Sequence, residues 1–246
     1  MKYNILTVLS ENYHEFGKLF TNSLSENIGL DNINEIMIYD TGLSKKSIDY
    51  YLTFSKVKVT KTNDTENSLR VHDGQWENKT YSKPKYLLDY IEGQKSFYPT
   101  ILIDCDVIFL ENFFDLIDEK ADIVTCRRNS AGRAVGHIAS STHIGCFVCI
   151  NNKERVDFIK DWISTLNENI KYNIHMQKES PALSDTIARY ADKFLISDID
   201  ERIIANIEHK PPLQARVLHL KSDAGIMTVD TRIRQPKALP WYNRYS

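Results

Sequence analysis

Apolar positions follow two rhythms along the chain. Lys2 to Leu9 is dense in apolar residues, as in a strand covered on both faces. From Glu11 to Asn27, Phe16, Leu19, Phe20 and Leu24 recur near helical spacing, and Gly29 is placed to end that helix. Glu35 to Tyr39 predicts a second strand, closed by Asp40-Thr41-Gly42. Ser44 can cap a helix running through Phe54, because its hydroxyl can accept from a free amide of the first turn. Lys56 to Lys61 alternates lysine with Val and Thr, which predicts a third strand near a sheet edge. This βαβαβ opening predicts an α/β fold with a mostly parallel sheet and right-handed crossovers. Ligands of such sheets bind outside the carboxyl ends of the strands.

The rest of the chain continues the alternation. Thr62 to Thr80 is polar and poorly periodic and predicts a loop. A helix is expected from Ser82 to Gly93, with Ser82 at the N-cap and Pro84 in the first turn. Lys83 and Lys85 would then sit at a helix start, where the macrodipole disfavours cations unless an anion lies nearby. Two short apolar runs follow, Thr100 to Ile103 and Val107 to Leu110, then a short helix at Phe113 to Ile117. Ala121 to Cys126 and His143 to Ile150 predict strands around a Gly-, Ala- and Ser-rich loop. Glu154 to Ile170 is an amphipathic helix, and Ser180-Pro181 opens another. Phe194 to Asp200 reads as a turn, and Arg216 to Lys221 as a late strand. One domain is expected over residues 1–246, with no internal repeat.

Composition changes this picture little. A net charge of −2 gives no reason to expect nucleic acid or an anionic membrane as the main partner. No run approaches the ~18 apolar residues of a membrane span, and the opening is too quickly polar for a signal peptide, so a cytoplasmic location is expected. Cys105, Cys126, Cys146 and Cys149 lie in strand-like surroundings and read as buried thiols. Cys146-Phe147-Val148-Cys149 fits a C-x-x-C spacing but has no second pair.

The chemistry gathers at Asp104-Cys105-Asp106. Two carboxylates at the end of an apolar strand are costly to bury unless paired or bound to a cation. Residues i and i+2 of an extended chain point the same way, so Asp104 and Asp106 can face one site. Hard oxygen ligands suit Mg²⁺ or Mn²⁺. Ser10 and Asp40 also fall at carboxyl ends of predicted strands.

Taken together, the chain resembles the GT-A nucleotide-diphospho-sugar glycosyltransferases over roughly residues 3 to 225. The βαβαβ opening, Tyr81-Ser82-Lys83, Ile101-Leu102-Ile103-Asp104-Cys105-Asp106-Val107-Ile108-Phe109, His143 to Asn151, the helix start at Glu179 to Asp185, and Val217-Leu218-His219 carry the resemblance. It implies a GT-A (Rossmann-like) mixed, mostly parallel sheet flanked by helices. It implies a nucleotide-binding half at 1–110 and an acceptor and catalytic half at 111–246. It also implies transfer of a sugar from a nucleoside-diphosphate sugar to a hydroxyl of a glycan or other glycoconjugate, with Mn²⁺ or Mg²⁺ on Asp104, Asp106 and His219. Thr7, Asp40, Lys83, Asp104 and Lys221 would contact the nucleotide-sugar. Glu179 and Asp185 are the candidate catalytic carboxylates, and Arg128 and His143 would touch sugar or acceptor.

This sequence departs from the family pattern in two places. The strand at His143 keeps only Gly145 and Asn151 of an Asn-Ser-Gly type of stretch, and the residues after His219 lack a Gly-x-x-Lys-Pro-Trp pattern. A haloacid-dehalogenase-like Mg-dependent phosphatase also carries an apolar run followed by D-x-D, but its motif opens the domain. A sugar-nucleotide pyrophosphorylase needs a Gly-rich loop where this chain has Ser10-Glu11-Asn12-Tyr13-His14. A non-catalytic nucleotide-sugar-binding module of the same fold is the remaining alternative.

Overall fold

The computed structural model describes residues 1–63, 74–128, 141–173, 179–206 and 214–220. Ten strands and five α-helices are described in the order β1 (Tyr3–Leu9), α1 (His14–Ser23), β2 (Ile33–Asp40), α2 (Lys45–Tyr51), β3 (Val57–Lys61), α3 (Gly74–Gly93), β4 (Thr100–Ile103), β5 (Val107–Phe109), β6 (Ile123–Arg127), β7 (His143–Ile150), α4 (Val156–Tyr172), α5 (Glu179–Tyr190), β8 (Ile196–Asp200), β9 (Ile204–Asn206) and β10 (Val217–His219).

Seven strands form the main sheet in the order β3-β2-β1-β4-β7-β6-β8. β7 runs antiparallel to both its neighbours, and every other pair is parallel. The sheet is therefore mixed and mostly parallel. Every residue of β1 and β7 is buried, as expected of strands covered on both faces. Two cores flank it. One packs Phe16, Leu19, Phe20 and Tyr51 of α1 and α2 against Ile5, Ile38 and Ile101. The other packs Leu87, Phe158, Trp162 and Leu183 of α3, α4 and α5 against Leu6, Leu102 and Val148. A small sheet, β5-β10-β9, joins the first core.

Strand order reverses beside β1: β2 and β3 lie on one side and β4 on the other. That is the switch point at which open α/β sheets bind ligands, outside the carboxyl ends. Because β7 is reversed, its first residues reach the same edge. The carboxyl ends of β1, β2, β4, β6 and β8 and the start of β7 thus form one rim.

Four sequence expectations need correction. α3 begins at Gly74, not Ser82, so the loop expected over Thr62 to Thr80 gives way to helix in its last turns, and residues 64–73 lie outside the described part. Pro84 stands inside this helix, where its missing N–H costs one backbone hydrogen bond. The stretch read as a turn at Phe194 to Asp200 forms β8, an edge strand parallel to β6. The helix expected from Glu11 starts with a 3₁₀ turn and ends in a π turn at Leu24–Ile28, closed by Gly29 at φ 69°. Ser44 caps α2 as expected, its Oγ accepting from the Ser47 amide, but α2 ends at Tyr51 rather than Phe54.

Candidate active site

Chain geometry brings Asp104, Asp106 and His219 together. β4 ends at Ile103, and Asp104 follows it, its amide donating to the Cys146 carbonyl at 3.1 Å. β5 begins one residue after Asp106. β10 pairs antiparallel with β5, setting His219 opposite Val107, and the Leu220 amide donates to the Asp106 carbonyl at 2.8 Å. His219 Nε2 therefore lies 3.4 Å from Asp104 Oδ2 and 3.3 Å from Asp106 Oδ1. One ligand atom from each residue falls within 4.8 Å of the others, which fits a single small cation. Two carboxylates and an imidazole are a donor set for Mn²⁺ or Mg²⁺ chemistry, and the histidine leans toward the transition metal.

Lys83 extends the site sideways. Its Nζ lies 2.5 Å from Asp104 Oδ1 and 2.9 Å from Glu179 Oε1, and it also approaches the Gly145 carbonyl at 3.4 Å. The sequence placed this lysine at a helix start; in fact it lies well inside α3, and Asp104 and Glu179 supply the anions. Burial opposes its charge, but Asp104 and then Glu179 outweigh burial and keep it cationic. Lys85 is exposed and solvated.

The electrostatics divide the three carboxylates. Burial pushes the Glu179 carboxyl up to about 7, against the pull of Lys83 and with the help of the Asp104 charge. Asp106 is also buried, but His219 beside it holds its carboxyl below the usual range. Burial alone would lower the His219 imidazole; Asp106 reverses that, and Cys146 adds to the rise. Asp106 thus favours the protonated ring where no cation is bound.

The other expected site residues divide. His143 is at the rim, 7% exposed, with Nε2 3.2 Å from Asp198 Oδ1 and Nδ1 2.8 Å from Thr142 Oγ1. Arg128 is half-buried just past β6, its amide bonded to the Thr142 carbonyl. Three more are placed away from the Asp104 group. Asp185 is exposed: six residues after Glu179, roughly 240° of helical turn carries it to the outer face of α5. Thr7 lies two residues before the end of β1, which runs to Leu9 as expected; it is 1% exposed and shares the core face of Ile5 and Leu9. Asp40 is 2% exposed, and its Oδ1 accepts from the Gly42 and Leu43 amides, so it stabilises its own turn. Lys221 lies outside the described residues.

Sequence reading gave no role to Asp198 or Gly145. Asp198 is the first carboxylate of a second D-x-D, Asp198-Ile199-Asp200, and binds Thr125 and His143 rather than the Asp104 group. Gly145 interrupts an otherwise bulky buried strand, a signal of close approach that was available in the sequence.

A family model for nucleotide-diphospho-sugar transferases matches residues 43–215. The chain belongs to that family. The match spans most of the chain and includes Lys83, Asp104, Asp106 and Glu179. This transferase superposes on the galactosyltransferase LgtC, solved with donor and acceptor sugar analogues, at TM-score 0.58 and 13% identity, covering 96% of each chain. It also resembles the glycosyltransferase GlyE of Streptococcus pneumoniae TIGR4, at TM-score 0.61 and 15% identity, covering 98% of this chain and 62% of that one. At these identities the likeness is one of fold, and the fold is GT-A. A search of curated proteins found no match. Family membership makes the chain a nucleotide-diphospho-sugar transferase, which sets aside the phosphatase. No helix among the described residues is long and apolar enough to cross a membrane.

Proposed function

We propose that this transferase moves a sugar from a nucleoside-diphosphate sugar to a hydroxyl of a glycan or other glycoconjugate, and that it depends on Mn²⁺ or Mg²⁺. The convergence of Asp104, Asp106 and His219 from two sheets onto a space sized for one cation carries this reading. A bound divalent ion would supply Lewis-acid neutralisation of the charge that grows on the leaving diphosphate. Residues 1–110 would hold the nucleotide and residues 111–246 the acceptor and the catalytic carboxylate, with the rim running across both.

In this reading the protein's own groups divide the work. Lys83 is a fixed cation next to Asp104, placed to meet a diphosphate oxygen as well as the two carboxylates. Glu179 faces the reacting sugar. A carboxyl near 7 is poised to accept a hydroxyl proton at working pH. His143 and Arg128 border the acceptor side, and Lys221, two residues after His219, adds a cation to the diphosphate.

The test is donor consumption. The purified protein is incubated with a panel of nucleotide sugars in Mn²⁺, in Mg²⁺ and in EDTA, and release of nucleoside diphosphate is followed. The expected result is metal-dependent release from at least one donor, lost by at least about 100-fold in Asp106→Ala. Release that is equal in EDTA, or unchanged in Asp106→Ala, overturns the proposal.

A further inference from the structure

We infer that Gly145 is the positioning residue for the Glu179 carboxylate: its missing side chain is the space in which that carboxylate sits. A Cβ built on Gly145 would lie 2.6 Å from Glu179 Cδ, 2.8 Å from Oε2 and 2.9 Å from Oε1. Real Cβ atoms do not approach neighbours so closely. Backbone conformation does not demand a glycine here. The residue is third in β7, in the stretch where pairing with β6 shifts register, yet its φ is not in the left-handed region; the positive-φ glycines among the described residues are Gly29 and Gly42. Space is the reason.

The surrounding contacts fix the backbone on both sides of this close approach. Gly145 donates its amide to Ser180 Oγ at 3.2 Å, which pins the start of α5 against β7. Trp162, fully buried, sends Nε1 toward the Glu179 carbonyl at 3.4 Å from the other side. The Gly145 carbonyl is 3.4 Å from Lys83 Nζ, the ion that bridges Glu179 to Asp104. The next residue, Cys146, accepts from the Asp104 amide. One dipeptide of β7 thus sets the carboxylate, its lysine and the nearer aspartate at fixed separations. A methyl at position 145 forces the Glu179 carboxylate off Lys83 while leaving the Asp104, Asp106 and His219 group in place.

This inference rests on the catalytic role proposed for Glu179, so its test has an arm that needs no activity. Four proteins are compared: the parent, Gly145→Ala, Glu179→Asp, and the double variant. In thermal unfolding without substrate, Gly145→Ala is expected to lower Tm by roughly 3–10 °C in the parent. It should lower Tm by less than half as much when Glu179→Asp has withdrawn the carboxylate. Should Gly145→Ala not fold alone, the double variant is expected to fold. In donor turnover, Gly145→Ala is expected to lower kcat at least about tenfold with donor KM within about threefold, and to cost under about threefold in the Glu179→Asp background. Equal losses in both backgrounds, or failure of the double variant to fold, would overturn the inference. If the stability coupling is present but no protein turns over any donor, Gly145 still seats the carboxylate, and it is the proposed function that fails.

Discussion

At the scale of single residues, the site is a charge problem solved by proximity. Asp104, Asp106 and Glu179 are held against Lys83 and His219, and all but Asp104 are buried. A cation entering the Asp104, Asp106 and His219 group must displace the imidazolium proton, because only the neutral ring can ligate. Its raised pKa means that proton persists to higher pH than usual. Mn²⁺ affinity, measured by titration of free Mn²⁺, is therefore expected to fall as pH is lowered, and His219→Ala should flatten that slope. Glu179 gives the opposite signature in stability. Its folded carboxyl lies above its unfolded value of 4.5, so the native state binds the extra proton between pH 4.5 and about 7. Stability from this group is fully present below 4.5 and is lost as pH rises through about 7, on the order of 1–3 kcal/mol. Urea unfolding across that window is expected to show the loss in the parent and a reduced slope in Glu179→Gln. An unchanged slope would mean that Glu179 does not titrate as its burial requires.

At the scale of elements, the chain carries two D-x-D segments with different jobs. Asp104-Cys105-Asp106 ends a central strand, and Asp198-Ile199-Asp200 ends an edge strand. Asp198 accepts from Thr125 Oγ1 at 2.7 Å and meets His143 Nε2 at 3.2 Å, fastening β8 to β6 and to the start of β7. Asp198 is itself exposed but Thr125 and His143 are buried, so Asp198→Ala takes a partner from both and should cost about 1–3 kcal/mol in urea unfolding. Mn²⁺-dependent nucleotide binding should survive it. Loss of that binding with no change in stability would reverse the assignment of the two motifs. The pattern that made β8 hard to read is local. Ile196 and Ile199 are its apolar residues, and Ser197, Asp198 and Asp200 obscure any strand rhythm. The early start of α3 was hidden for a similar reason. Gly74 to Thr80 is polar, and Ser82 with Pro84 imitates a helix beginning. By contrast, β1, β7 and α4 were legible because burial on a regular period leaves a dense apolar record.

At the scale of the whole molecule, the βαβαβ opening implied the parallel half of the sheet, and the position of Asp104 implied the ligand edge. Both follow from rules of handedness and strand ends that need no detail of packing. The reversed β7 did not follow from periodicity. Its reversal is what carries Gly145 and His143 to the rim, so that side of the rim was the least legible part. Asp185 shows the limit in the other direction. Helical phase decides which of two nearby carboxylates faces in, and a shift of a residue or two in the start of α5 would have exchanged them. Asp104 and Asp106 needed no such phase, since both lie in the short turn joining two buried strands.

The most direct measurement is thermal unfolding of the parent and of Asp106→Ala with a panel of nucleoside diphosphates, each with and without Mn²⁺. If the three ligands hold a cation against a diphosphate, at least one nucleotide should raise Tm of the parent only when Mn²⁺ is present. At 100 times Kd the stabilisation is ~2.7 kcal/mol, a rise of about 5–10 °C for a chain of this size. The shift should vanish in Asp106→Ala. A nucleotide shift of the same size without Mn²⁺, or one that persists in Asp106→Ala, would contradict the account.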